Sequence, residues 1–212
     1  MPRFLIVCDV DSTLIDQEVI DMIAAEAGVS SRVSEITERA MRGELDFKES
    51  LTERVALLEG VDAGVIGAVQ AKISITNGAE KLVEAVHKND GLIAAVSGGF
   101  HEVLDPIAER LGLDFWFANR FRVAGGKLTG KVDGEIVDSV AKQRILLELA
   151  ADNGIAVQNT IAVGDGANDI PMLNTAGIGV AFCAKQIVKE SAAVSLEVRD
   201  LSLVGSLFGS PV

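Results

Sequence analysis

Short apolar runs that stop at small or acidic residues recur along this chain, and they constrain its fold more than any other feature. Arg3-Phe-Leu-Ile-Val-Cys-Asp9 is the first; Leu92-Ile-Ala-Ala-Val-Ser97 leads into Gly98-Gly99, Thr160-Ile-Ala-Val163 into Gly164-Asp165-Gly166, and Ile178-Gly-Val-Ala-Phe182 follows. Runs this short and this apolar suit strands buried on both faces. Between them lie helical patterns over 79–87, 102–111, 140–151 and 169–176. Alternating strands and helices predict an α/β fold, a Rossmann-like doubly wound parallel sheet covered on both faces.

Two stretches break the alternation. Residues 16–75 contain no strand pattern, only helical segments over 17–26, 34–41 and 47–58, punctuated by Gly28, Gly43 and Gly60. They predict a small helical cap inserted after the first strand, with residues 1–15 and 76–212 forming the core. Such an insert would sit above the C-terminal edge of the sheet, as a lid over a ligand site or as an ornament. The second stretch is 117–136, where alternating residues flank Gly125-Gly126 and predict an antiparallel β-hairpin flap.

Composition narrows the function classes. Lys and Arg total 19 against 31 Asp and Glu, a net charge of −12, so the chain should repel a phosphate backbone, and nucleic acid is not an expected partner. The uncharged stretch 170–184 is broken by Pro171, Asn174, Gly177 and Gly179, and a membrane helix needs ~20 mostly apolar residues, so no membrane association is expected. Asp9 and Asp11 interrupt the first apolar run before a signal-peptide core forms, which predicts a cytoplasmic protein. Cys8 and Cys183 form no CxxC pair and are expected to be small buried hydrophobes without a disulfide. His87 and His101 are the only histidines, too few for a zinc site or a Ser/His/Asp triad of the usual kind.

Open α/β sheets bind ligands at the carboxyl ends of their strands, which gathers Asp9-Val10-Asp11-Ser12-Thr13, Ser97-Gly98-Gly99, Lys142 and Gly164-Asp-Gly-Ala-Asn-Asp169 into one candidate site. If strand geometry persists, Asp9 and Asp11 point the same way, unless the chain turns at Val10. Close carboxylates repel one another, which favours a shared proton or a divalent cation. With Asp165 and Asp169 the site holds up to four, and a hard cation such as Mg²⁺ is the natural complement. Lys142 carries no signal alone; among these acids it can neutralise an anionic substrate. Ser97-Gly98-Gly99 fits a phosphoryl group through its N–H groups and hydroxyl, or it is a plain strand-to-helix turn. No GxxxxGK[ST], GxGxxG or GxSxG occurs, which argues against a nucleotide-loop kinase or a serine hydrolase.

Taken in order, the DxDST segment at the first strand's end, Ser-Gly-Gly after a second strand, a helix-borne lysine and GDGxND after a later strand closely resemble the haloacid dehalogenase superfamily of aspartate-nucleophile phosphatases. Ser97-Gly-Gly-Phe100, Lys127-Leu-Thr-Gly130, Gly134-Glu-Ile-Val-Asp138 and Ala181-Phe-Cys-Ala-Lys185 are similar to its branch that acts on L-phosphoserine, and the likeness covers almost the whole chain. Many relatives carry an extra N-terminal regulatory domain. This sequence begins directly at the first strand, so control by such a module is not expected.

The resemblance implies a set of roles. Asp9 would be the nucleophile that forms an aspartyl-phosphate, and Asp11 the general acid and then general base. Mg²⁺ would be held by the Asp9 side chain, the Asp11 backbone carbonyl and Asp165, with Asp169 orienting them from behind. Ser97, Gly98, Lys142 and Asn168 would hold the phosphoryl oxygens. In the cap, Glu18 would meet the substrate ammonium and Arg54 its carboxylate, while Met41 and Phe47 would close the site against water. Without the resemblance, Glu18 and Arg54 read as surface charges, and Met41 and Phe47 as lid core. Transfer of the phosphoryl group to homoserine, or hydrolysis of another small phosphomonoester, are the alternatives within the enzyme class. A receiver-type signalling domain shares the paired acids and the lysine, but it predicts phosphorylation on a later strand's aspartate and no helical insert. The expected partner is a small-molecule substrate, with the chain a monomer or homodimer.

Overall fold

The structure, a computed structural model, describes residues 2–208. The chain runs through β1 (Leu5–Cys8), four helices α1 (Val19–Glu26), α2 (Ser30–Met41), α3 (Phe47–Ala56) and α4 (Val65–Gln70), then α5 (Ala79–Lys88), β2 (Leu92–Phe100) and α6 (His101–Leu111). It continues through β3 (Phe115–Ala124), β4 (Lys127–Asp133), α7 (Ser139–Asp152), β5 (Thr160–Gly164), α8 (Ile170–Thr175), β6 (Ile178–Phe182), α9 (Gln186–Ser191) and β7 (Val194–Leu196).

One seven-stranded sheet has the order β4-β3-β2-β1-β5-β6-β7, parallel throughout except for the β3–β4 pair. The centre of this sheet explains the character of the first apolar run. All four residues of β1 are fully buried. Successive side chains of a strand face opposite ways, so Ile6 and Cys8 join a core with Leu82, Val86, Val103 and Leu104. Leu5 and Val7 join a second core with Ile145, Leu146, Met172 and Leu173. From β1 the chain builds outward through β2 and β3, then crosses to β5 on the other side. The strand order therefore reverses at β1, and a crevice opens at its carboxyl end, where such sheets bind ligands.

The helical segment after β1 packs on this edge. Val19, Ile23, Leu51, Val55, Leu58 and Val69 are buried in the same cluster as Ile6. A capping box starts α3: Asp46 Oδ1 accepts from Glu49 N at 2.8 Å and Asp46 N donates to Glu49 Oε2 at 2.9 Å, which fixes where Phe47 begins its helix. Two connectors carry the chain into and out of the segment, and they pair: Asp16 N donates to Ser74 O and Thr76 N to Leu14 O, each at 3.0 Å.

Several expectations are corrected in detail. The Ser97-Gly98-Gly99 stretch is an irregular strand end, because β2 continues to Phe100 with a register shift against β3. The hairpin turns at Gly125 and Gly126, both at positive φ as a tight two-residue loop requires. Its first strand is also a member of the main sheet, pairing parallel with β2. The hairpin is tied to the helical segment by three backbone bonds of 2.9 Å, Gly60 N to Leu128 O, Leu128 N to Val61 O and Ala63 N to Gly126 O. Cys8 is buried as expected, whereas Cys183 is only partly so. No helix of the described residues is long and apolar enough to cross a membrane.

Candidate active site

Strand β1 delivers Asp9 to the crevice, where its N–H still donates to Val163 O at 2.8 Å. The chain then turns at Val10, so strand geometry does not carry Asp11 forward. Asp11 is extended (φ −62, ψ 134) and Ser12 is left-handed at φ 56, which swings the segment round. Both carboxylates nevertheless line one cavity of about 580 Å³. Asp11 Oδ2 accepts from Val19 N at 3.2 Å, at the first turn of α1. Ser12 Oγ donates to Glu18 Oε1 at 2.6 Å, and Thr13 Oγ1 to Asp165 Oδ1 at 3.1 Å.

Helix α7 brings the lysine. Asp138 accepts from Ala141 N at 2.8 Å and caps the helix, which sets Lys142 in its first turn. The fully buried Lys142 Nζ donates to Asp9 Oδ1 at 2.5 Å and to Asp169 Oδ1 at 2.7 Å. The other Asp169 oxygen accepts the N–H groups of Asp165 at 3.2 Å and Gly166 at 3.0 Å, so the acid braces the loop after β5. Glycine at 164 is required, since a Cβ there would lie 2.5 Å from the Asp169 carboxyl.

Asp9, Asp165 and Asp169 each bring an oxygen within 4.8 Å of the others. One ammonium cannot balance this crowding, and the acids respond. Burial, then the charge of Asp169, holds Asp9 well above the usual carboxylate range. Burial with the charge of Glu18 pushes Asp11 up to about 7, and burial with Asp169 pushes Asp165 up to about 6. Burial alone would lower Lys142, but the carboxylates of Asp169 and Asp9 hold it above the usual ammonium value. Asp11 Oδ1 is buried without a hydrogen-bond partner among the described residues. Hard oxygen donors carrying excess negative charge fit a divalent cation of the Mg²⁺ type.

The opposite wall is built largely from the helical segment after β1, facing the end of β2. Ser97 Oγ accepts from Gly99 N at 2.8 Å, and a Cβ on Gly98 would lie 2.5 Å from Phe47 Cζ, so only glycine lets Phe47 sit down on this loop. Glu18, Arg54, Met41 and Asn168 line the same cavity. Arg54 donates Nε to Ser50 O at 3.2 Å and has no salt bridge among the described residues, although burial draws its pKa below the usual guanidinium value. It is a cation on the cavity wall, felt by the carboxylates of Asp21, Glu18 and Asp11 but held by none of them in an ion pair among the described residues. Met41 lines the wall at 68% exposure, so it is not part of a lid core.

The structure thus brings Asp9, Asp11, Glu18, Met41, Phe47, Arg54, Ser97, Gly98, Asn168 and Asp165 around one cavity, with Lys142 and Asp169 buried behind it. Others were not anticipated. Lys185 and Asp21 also line the cavity. Asn119, almost fully buried, donates Nδ2 to Gly98 O and accepts from Val137 N, both at 2.8 Å, so it ties the Ser97 loop to the segment entering α7. A single polar residue inside an alternating strand gives no sequence signal of such a tie. Four helices follow β1, where a receiver-type domain has no insert.

A family model for hydrolases of the haloacid dehalogenase-like type matches residues 5–177. The chain is 51% identical to a phosphoserine phosphatase of Streptococcus thermophilus over 93% of this chain and 92% of that protein. It is 47% identical to one of Methanocaldococcus jannaschii over 93% of each. Among solved structures, a phospho-aspartyl intermediate analogue of phosphoserine phosphatase superposes with a TM-score of 0.92 at 44% identity, covering 99% of this chain and all of that one. A substrate-bound phosphoserine phosphatase complex matches with the same score, identity and coverage.

Proposed function

The chain belongs to the haloacid dehalogenase-like hydrolases, and on that footing we propose that it is a phosphoric monoester hydrolase converting L-phosphoserine to L-serine and phosphate, the last step of serine biosynthesis, through an aspartyl-phosphate on Asp9. The observation that carries this reading is the buried ammonium of Lys142 on Asp9 Oδ1 at 2.5 Å, beside a cavity whose other wall bears Arg54.

Lys142 holds one oxygen of Asp9 and leaves Oδ2 to attack phosphorus in line. The new Asp9–phosphorus bond forms as the ester bond to the serine oxygen breaks, and that oxygen takes its proton from Asp11. Water then attacks the phosphoryl group and gives a proton to Asp11, and Asp9 leaves as a carboxylate with phosphate released. Burial and Glu18 hold Asp11 near neutrality, which suits a group that must give and then take a proton. Ser97, the backbone at Gly98, Asn168 and Lys142 hold the phosphoryl oxygens. Arg54 pairs with the substrate carboxylate and Glu18 with its ammonium; Phe47 and Met41 shield the site from water.

Asp9 and Asp165, with the Asp11 carbonyl, would hold Mg²⁺, and Asp169 would orient them. The bound cation would neutralise phosphoryl charge and lessen repulsion between two anions. Residues 16–75 form the cap domain over a core of 1–15 and 76–212. The enzyme acts in the cytoplasm on this small molecule, as a monomer or homodimer.

The test is phosphate release from L-phosphoserine, L-phosphothreonine and p-nitrophenyl phosphate, with and without Mg²⁺, for the wild type and Asp9→Asn. The reading expects strong preference for L-phosphoserine, dependence on Mg²⁺ and loss of activity in the variant. Equal rates on all three substrates would defeat the substrate assignment, and an active Asp9→Asn the mechanism.

A further inference from the structure

We infer that Arg199, on the segment after β7, is a positioning residue that sets the register between cap and core. Its guanidinium touches both connectors. Nε donates to Asp16 Oδ1 at 2.7 Å, Nη1 to Ser12 O at 3.1 Å and Nη2 to Ile15 O at 3.1 Å, all on the outgoing connector. Nη2 also reaches Thr76 Oγ1 at 3.5 Å on the returning one. The guanidinium is a rigid planar fork of five N–H donors and can serve all four of these acceptors at once, whereas an ammonium has three donors on a flexible stem.

The base of the fork is itself fixed. The guanidinium carbon lies 5.8 Å from the Phe182 ring centroid at the end of β6. Leu201 N donates to Asn77 O at 2.8 Å, and Asp200 Oδ1 accepts from Ser202 N at 3.0 Å and Ser202 Oγ at 2.6 Å. A Cβ on Gly78 would lie 2.0 Å from Asp200 Oδ1, so the returning connector lies directly against this turn.

What the fork holds matters because of Ser12. That residue adopts φ 56, costly for a non-glycine; its carbonyl is held by Arg199 and its hydroxyl by Glu18. Arg199 therefore restrains the turn that joins Asp11, on the core side, to Glu18, on the cap side. The inference rests on the phosphoserine reading above. A substrate with a phosphate at one end and an amino acid at the other needs both halves in register, whereas p-nitrophenyl phosphate needs only the core half.

The experiment compares Arg199→Met, Arg199→Lys and Asp16→Asn with wild type on L-phosphoserine and p-nitrophenyl phosphate, together with amide hydrogen exchange. Arg199→Met is expected to lower kcat/KM for L-phosphoserine roughly 10- to 100-fold, mainly through KM, the size of losing charged hydrogen bonds, with a much smaller change for p-nitrophenyl phosphate. Arg199→Lys recovers part of the loss, and Asp16→Asn gives a smaller loss of the same selectivity. The amides of Asp16 and Thr76, which bridge the connectors, exchange about 10-fold faster in Arg199→Met while those of β1 do not. Equal losses on both substrates, no loss on either, or unchanged exchange at Asp16 and Thr76 would overturn the inference. If Arg199→Met does not fold, the other two variants decide by the same ratio. A wild type without preference for L-phosphoserine would defeat the substrate reading instead, and hydrogen exchange would then decide the role of Arg199.

Discussion

The buried Nζ of Lys142 donates to Oδ1 of Asp9 at 2.5 Å while also holding Asp169 at 2.7 Å. Removing one partner of a buried ionic group leaves the others uncompensated, at a cost of about 3–5 kcal/mol. Lys142→Met is therefore expected to lose that much stability in denaturant titration and to be nearly inactive. Adding Asp169→Asn should restore part of the stability and none of the activity. A stable Lys142→Met, or one still active, would contradict the assigned pairing.

Asp11 acts on the serine oxygen in the first step and on water in the second. With p-nitrophenyl phosphate the leaving group needs no proton, so Asp11→Asn should release one burst of nitrophenol per site and then turn over slowly. With L-phosphoserine the same variant should show no serine burst and lose about 10²–10⁴-fold in rate, the usual worth of a general acid. Rapid-quench measurement of both products checks this; equal slowing of both substrates without a burst would contradict it.

The crowded acids make a prediction for stability. Burial and neighbouring charge raise Asp11 from 3.8 to about 7 and Asp165 from 3.8 to about 6. A raised folded pKa means that the folded chain keeps protons the unfolded chain has lost, so stability falls as pH rises from about 4 to about 7. The metal-free protein is expected to melt higher near pH 5 than near pH 8, and Mg²⁺ should raise Tm more near pH 8 than near pH 5. Calorimetry in chelator and in Mg²⁺ checks both differences; a Tm gain from Mg²⁺ that is the same at the two pH values would contradict the carboxylate assignment.

Arg54 lies on the cavity wall, mostly buried and without a salt bridge among the described residues. Losing a charge-assisted bidentate contact should raise KM for L-phosphoserine about 10- to 100-fold in Arg54→Ala and leave KM for p-nitrophenyl phosphate within a few fold. A matching rise for both substrates would mean that Arg54 does not read the amino-acid carboxylate.

Much of the fold was legible because its central strands are buried on both faces, which leaves β1, β2, β5 and β6 as apolar runs without alternation. By contrast α4, α9 and β7, of six, six and three residues, show neither a clear period nor a bare apolar run. The double membership of β3 was hidden because the alternation around Gly125-Gly126 reports the antiparallel hairpin alone and not the parallel pairing with β2 across α6. At the site, Asp9, Asp165 and Asp169 stood out as acids directly ending or following hydrophobic strands. Glu18 and Arg54 look like any charges on a helix, and only the resemblance separated them. Arg199 gave no signal, since its acceptors lie 123 to 187 positions away and two of them are backbone carbonyls.

The central claim is that phosphate passes through Asp9. Mixing enzyme with L-phosphoserine, quenching in acid within one turnover and reducing with borohydride converts an aspartyl-phosphate to homoserine at the phosphorylated position. The account predicts homoserine at position 9 alone, found by mass spectrometry of the N-terminal peptide and absent when substrate is omitted. Homoserine at Asp11, Asp165 or Asp169, or none anywhere while phosphate is released at full rate, would contradict it.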